Sequence, residues 1–255
     1  MDKEIIARNF SRCAYFYDSY ADVQRRAALE ILGGIEDYSF SKVLEIGCGT
    51  GNYTFLLREK FKKARITALD ISDKMVEVAQ GKLKDKDIEF IVADGESVNF
   101  PDEEFDLITS NACFQWFENL EAALEKYRGL LKKNGLISFS IFGPLTFWEL
   151  NASLESLLQN TSIAANNFID KDKINKILSN NFKEFKLKEL KYQESFTSLL
   201  GLLNKIKYTG ARGNGASSKI SLGPRYLKKL EEVYLNKFHQ IEVTYHIFFC
   251  QGLVE

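Results

Sequence analysis

From Ile5 to Ile35 apolar side chains recur at helical spacing, with an interruption near Asp18 to Asp22, which predicts two helices ahead of the first strand. Short aliphatic runs then alternate with helical patterns. Strands are predicted over Lys42 to Ile46, Arg65 to Leu69, Ile88 to Ala93 and Phe105 to Ser110, and again over Gly135 to Phe142 after a Lys132–Gly135 turn. Helices are predicted over Asn52 to Phe61, over Ser72 to Leu83 behind a capping serine, and over Leu120 to Leu131. Such alternation means a parallel sheet. The last third reads as helices at Thr146 to Leu158 and Asp170 to Leu178, an alternating strand at Phe185 to Phe196, two more helical stretches, and a final strand at Val243 to Leu253. Gly223-Pro224 suits a helix start, and Thr197 to Gln240 is too long for a hairpin turn, so it reads as a helical insertion able to act as a lid.

Length and composition narrow the class. The 255 residues correspond to about 1.7 average domains, and only three prolines and no flexible linker interrupt them, so a single domain is expected over 1–255. Its parts are a helical cap at 1–40, a core at 41–142 and the lid insertion at 197–240. Apolar residues at 45% and charged residues at 27% allow a sizeable core and exclude disordered or fibrous classes. With 34 basic and 35 acidic side chains, whole-chain charge gives no support to nucleic-acid binding. No run reaches the length of a membrane span or export signal, and Cys13, Cys48, Cys113 and Cys250 are scattered, so reduced thiols, a cytoplasmic location and no membrane partner are expected. His239 and His246 lie seven apart without further ligands at metal spacing, so no metal is expected.

The chemistry concentrates in Val43-Leu44-Glu45-Ile46-Gly47-Cys48-Gly49-Thr50-Gly51-Asn52, a hydrophobic strand that ends in an acid and a Gly-x-Gly-x-Gly turn opening a helix. Glycines let a ligand approach the backbone, and the helix start offers free N–H groups. A nicotinamide dinucleotide fingerprint would need glycine at position 52, and a P-loop would need a Gly-Lys-Ser/Thr ending; neither is present. Cys48 within this turn reads as a small filler rather than a nucleophile.

At this motif the chain resembles the class I methyltransferases that use S-adenosylmethionine (SAM). Asp70 ends the second strand, and Asp94 follows the third in Val92-Ala93-Asp94-Gly95-Glu96. The resemblance implies that Asp70 binds the ribose hydroxyls and Asp94 the adenine amino group, with Glu45 and the Gly47, Gly49 and Gly51 backbone facing the methionine and ribose end. It also implies a Rossmann-like α/β fold: a mostly parallel seven-stranded sheet with an antiparallel last strand, N-terminal helices and a helical lid.

Flanking blocks are more discriminating. Phe10-Ser11-Arg12-Cys13-Ala14-Tyr15-Phe16-Tyr17-Asp18, Ser110-Asn111-Ala112-Cys113-Phe114-Gln115-Trp116, Phe142-Gly143-Pro144-Leu145-Thr146-Phe147-Trp148-Glu149-Leu150, Lys207-Tyr208-Thr209-Gly210-Ala211 and Val243-Thr244-Tyr245-His246-Ile247-Phe248 together resemble the malonyl-acyl carrier protein O-methyltransferases of biotin synthesis, the BioC family. Arg212 to Ser221 carries no match. The resemblance implies methylation of the free carboxylate of a malonyl thioester on acyl carrier protein or coenzyme A. A carboxylate is already ionised at neutral pH, so the absence of a persuasive general base fits this chemistry.

Several residues are candidates for the reacting end. Tyr15, Phe16 and Tyr17 can offer aromatic faces to the sulfonium, ordinary helix packing being the alternative, above all for Phe16. Asn111, Gln115 and Trp116 follow the fourth strand, where cofactor and substrate would meet, or serve core packing. Arg12 is the candidate for steering the malonyl carboxylate or is an ordinary surface arginine, with Lys207 and Arg212 as lid-side alternatives. His246, in an alternating strand, reads as structural. From Phe182 to Phe238 there are 12 Lys/Arg against 5 Asp/Glu, an excess of 7 positive charges, so Arg225, Lys228 and Lys229 could dock an acidic carrier or form a solvated face. Methylation of another small acid or a quinone ring, and a non-catalytic binding module, remain alternatives.

Overall fold

The computed structural model describes residues 2–36, 39–158, 163–210 and 223–255. Arg212, with the whole of the Arg212 to Ser221 stretch, lies outside them, and the 197–240 insertion is described only over 197–210 and 223–240. Helices α1 (Lys3–Cys13) and α2 (Asp22–Gly34) precede the sheet, with one 3-10 turn at Tyr17–Ser19 between them. The alternating core then runs β1 (Lys42–Ile46), α3 (Asn52–Lys60), β2 (Arg65–Asp70), α4 (Asp73–Lys82), β3 (Ile88–Val92), β4 (Phe105–Asn111), α5 (Leu120–Leu130) and β5 (Leu131–Phe142). It continues as α6 (Trp148–Glu155), α7 (Lys171–Asn181), β6 (Glu184–Phe196), α8 (Leu199–Tyr208), α9 (Pro224–Phe238) and β7 (Ile241–Leu253).

The seven strands form one sheet in the order β3-β2-β1-β4-β5-β7-β6, parallel from β3 to β5, with β7 antiparallel to both β5 and β6. The fold expectation is met. Central strands are covered on both sides: Val43, Ile66 and Leu107 pack with α2 and α3, whereas Leu44, Ile108 and Ile137 pack with α5 and α7. At the edge, β6 alternates exposed and half-buried positions and carries Lys186, Lys188 and Lys191, which discourage pairing with another strand.

Capping follows the sequence closely. The Ser72 hydroxyl accepts from the Met75 N–H, Asp170 caps α7 through the Lys173 N–H, and Pro224 opens α9. One local reading needs correction, because Lys132 to Gly135 does not separate a helix from a later strand. β5 begins at Leu131 and bulges there: Phe105 pairs with Leu131 but Leu107 with Leu136, and Asn134 takes φ 60°. Both sides of the bulge are anchored to the end of the chain, since the Asn134 N–H donates to the Val254 carbonyl and the Val254 N–H to that of Gly135.

Strand order reverses between β1 and β4. Their carboxyl ends part there and open a crevice, the position where open α/β sheets bind ligands.

Candidate active site

The turn after β1 forms the crevice floor. The Gly47 and Cys48 N–H groups both donate to the Leu69 carbonyl, at 2.7 and 2.9 Å, which bends the chain away from the strand. Gly47 has φ +75°, and a Cβ built on it would lie 2.4 Å from the Cys113 sulfur. Gly49 has φ +53° and open space where its Cβ would be, so a ligand can reach the backbone. Cys48 is buried, and burial raises its thiol pKa well above the usual range, in keeping with an inert filler.

Two carboxylates stand at the next strand ends. Asp70 accepts from the Gly49 N–H and the Ser72 N–H, each at 2.9 Å, and burial raises its pKa against the pull of these backbone donors. Asp94 follows β3 and accepts from the Glu96 N–H at 3.0 Å and the Lys3 ammonium at 2.6 Å; Lys3 also pairs with Glu96 at 2.8 Å. Lys3, Ile6 and Phe10 of α1 line the crevice, so the first helix walls this end. The role of Lys3 is absent from the sequence reading, although its i, i+3, i+7 spacing with Ile6 and Phe10 puts all three on one helical face. The space within the crevice, open solvent at its mouth included, is about 700 Å³.

Glu45 lies below the turn, fully buried, and neither carboxylate oxygen has a hydrogen-bond partner among the described residues. Burial pushes its pKa up from 4.5 to about 8; the neighbouring Thr54 hydroxyl opposes this, although the two do not meet in hydrogen-bond geometry, and Asp70 adds repulsion. The folded protein therefore holds a proton that the unfolded chain releases. This stability is fully present below about pH 4.5 and is lost as pH rises through about 8. Glu45→Gln removes the titration. Urea unfolding of the unliganded protein should show the wild-type midpoint falling between about pH 5 and pH 8, with a flatter profile and a higher midpoint at pH 8 for the variant. Equal slopes for both proteins would contradict the assignment.

The remaining candidates divide. Tyr17 lines the crevice, its hydroxyl makes no hydrogen bond among the described residues, and burial raises its pKa, so it stays a neutral donor. Asn111 also lines it, but its amide is engaged, donating to the Gln24 carbonyl at 2.9 Å and accepting from Ser140 at 2.8 Å. Gln115 is turned into the 3-10 turn Phe114–Trp116: its amide nitrogen donates to the Ala112 carbonyl at 2.6 Å and its oxygen accepts from the Phe142 N–H. The neighbouring Trp116 reaches the crevice instead. Arg12 is exposed on the last turn of α1 and lies outside the crevice lining. Tyr15 and Phe16 face outward, Tyr15 donating to Glu77 and Phe16 lying against Tyr208. His246 is buried, holds Glu189 at 2.9 Å and accepts from the Leu145 N–H, and burial lowers its pKa, as a structural histidine requires. All four cysteines are free thiols. Among the described residues no cluster of three or more His, Cys, Asp or Glu is placed to hold a metal ion, and no helix is long and apolar enough to cross a membrane.

Residues 44–139 match the family described as "Methyltransferase domain". Among solved structures, the YcgJ protein from Bacillus subtilis superposes with a TM-score of 0.65 at 15% identity, covering 90% of this chain and 98% of that one. The Haemonchus contortus phosphoethanolamine N-methyltransferase 2, solved in complex with S-adenosyl-L-methionine, superposes with a TM-score of 0.57 at 18% identity, covering 90% of this chain and 53% of that one. Both support the fold alone. Over nearly full length the chain is 36% identical to the malonyl-[acyl-carrier protein] O-methyltransferase 1 of Ilyobacter polytropus, covering 98% of this chain and 94% of that protein. The chain belongs to the malonyl-[acyl-carrier protein] O-methyltransferase family.

Proposed function

We propose that the protein transfers a methyl group from SAM to the free carboxylate of a malonyl thioester, carried by acyl carrier protein or coenzyme A. The observation that carries this reading is the convergence of the open Gly49 backbone, the Asp70 carboxylate and the Asp94 carboxylate on one crevice at the sheet's switch point. SAM would supply an activated methyl group on a positively charged sulfur. Asp70, already oriented by two backbone N–H donors, presents an acceptor suited to ribose hydroxyls, and Asp94, held by Lys3, one suited to an exocyclic amine. Glu45 is a buried carboxyl group below the Gly47–Gly51 turn, protonated at neutral pH and without a hydrogen-bond partner among the described residues, and a cation brought to that turn would favour its ionised form.

A malonyl carboxylate brings its own nucleophilic oxygen, so the residues' task is orientation and exclusion of water rather than proton removal. Tyr17, as a neutral donor, can hold an acceptor at the reacting end, while Phe10 and Trp116, whose rings meet edge-on at 5.9 Å, keep that end apolar. Neither Arg12 nor Gln115 enters this role, because one faces solvent and the other is committed to backbone. Helices α8 and α9 serve as the lid, with Tyr208 at the end of α8 stacked on Tyr20 at 4.8 Å. Incubation with methyl-labelled SAM tests the reading: label in the acyl group of malonyl-acyl carrier protein is expected, and an unlabelled acyl group with both malonyl carriers would refute it.

The carrier is the proposed partner. Arg225, Lys228 and Lys229 are exposed on α9 and make no ion pair among the described residues, whereas Lys183, Lys188 and Lys205 of the same basic stretch are paired with Glu255, Glu30 and Glu194. These free cations complement an acidic carrier surface. Charge reversal at all three should raise KM for malonyl-acyl carrier protein about tenfold, in the range of lost electrostatic steering, with KM for malonyl-coenzyme A unchanged. Equal changes for both substrates would remove α9 from docking.

A further inference from the structure

The 3-10 turn that carries Tyr17 is held by the next residue. Asp18 sits where the N-terminal segment crosses the glycine turn, and its carboxylate collects three donors from distant parts of the chain. One oxygen accepts from the Thr50 hydroxyl at 2.5 Å and the Asn52 amide at 2.8 Å, and the other from the Lys82 ammonium at 2.5 Å. Lys82 also donates to the Asn52 side-chain amide oxygen at 2.9 Å, closing a triangle over the start of α3. The backbone carbonyl of Asp18 accepts from Arg25 on α2 at 2.8 Å. Against the cost of its partial burial, these donors hold the Asp18 pKa below the usual carboxylate range.

We infer that Asp18 is a positioning residue that locks the Tyr17 turn in register with the glycine turn, so that cofactor binding and the placing of the Tyr17 hydroxyl depend on one carboxylate. This rests on the methyltransferase reading of the crevice. The chemistry requires an anion, because all three side-chain partners donate; an asparagine in the same place would direct its NH2 group at one of them. The turn is also the junction to α8, through the Tyr20–Tyr208 stack and the Phe16–Tyr208 contact at 5.7 Å. Tyr17 lines the crevice and Asp18 stands outside its lining, which separates the group that faces the ligand from the group that aims it.

The test combines D18N, Y17F and the double variant, with two readouts. Binding of S-adenosylhomocysteine, which needs no turnover, reports on the glycine turn, and kcat with a malonyl thioester reports on Tyr17. D18N should raise the dissociation constant and lower kcat, each about tenfold, a moderate size because the carboxylate is partly exposed. Y17F should lower kcat, and adding D18N to it should lower kcat by less than about twofold more, since the residue being aimed is already gone. Should D18N fail to fold, K82Q replaces the cationic donor on the partly exposed side by a shorter neutral one and is expected to shift both readouts the same way by less. Wild-type values for both readouts in D18N, or in K82Q where it stands in, would overturn the inference, as would kcat losses that multiply fully in the double variant. If the wild-type protein binds S-adenosylhomocysteine but methylates no malonyl thioester, the substrate reading fails and the binding arm alone decides the role of Asp18.

Discussion

Asp70→Ala is expected to raise the dissociation constant for S-adenosylhomocysteine by about 100-fold or more, because hydrogen bonds to a charged group are worth about 1.5–3 kcal/mol each and two ribose hydroxyls would lose their acceptor. The same carboxylate fixes the Gly49 N–H, so the floor of the crevice loosens as well. Stability should move little. Burial already penalises the Asp70 anion, and removing it relieves that penalty while water satisfies the released Gly49 and Ser72 N–H groups in the open crevice. Calorimetric titration with a parallel thermal melt checks this. A variant that binds like wild type would remove Asp70 from the cofactor site, and one that fails to fold would make its role structural.

Gly47→Ala is the second large effect, and it acts on both folding and binding. A residue other than glycine at φ +75° carries backbone strain, and the new Cβ would meet the Cys113 sulfur at 2.4 Å and the Cys113 Cβ at 2.5 Å. Strain and overpacking together should cost about 2–4 kcal/mol. Because the Cys113 Cβ is as close as its sulfur, adding Cys113→Ala leaves the clash in place, whereas Cys113→Gly relieves it. Urea unfolding should therefore find partial recovery in G47A/C113G and none in G47A/C113A. Recovery in both would mean that the sulfur alone fills the space, and recovery in neither would make backbone strain the whole cost.

The parts of this site that were legible in the sequence are those whose meaning is local. An acid, a glycine turn and a helix start occupy consecutive positions from Glu45 to Asn52, and Asp70 and Asp94 each end or follow a strand visible as an aliphatic run. The less legible residues act across the chain. Lys3 meets Asp94, 91 residues away, and Asp18 meets Thr50, Asn52 and Lys82, 32 to 64 residues away, so no window around either residue contains its partners. Arg12 lies outside the crevice lining for a reason the sequence holds. At about 100° per residue, Ile6, Phe10 and Cys13 share one face of α1, and Arg12 points away from it. Gln115 follows the carboxyl end of β4, but the tight 3-10 turn around it directs its amide to the Ala112 carbonyl, a backbone conformation that composition does not reveal. The Lys132–Gly135 bulge misled for a related reason: a turn-like sequence can stay inside a strand when β7 offers partners for its backbone, as Val254 does.

On the proposed function, a substrate carboxylate oxygen meets an activated methyl group in this crevice. The most direct test of this is mass spectrometry of malonyl-acyl carrier protein after reaction with SAM, with fragmentation of the acyl group and a mild alkaline treatment of the product. The predicted result is a single added methyl on the terminal carboxyl, removed as an ester by alkali and lost with Asp70→Ala. A methyl on carbon, or on the protein rather than the acyl group, would contradict it.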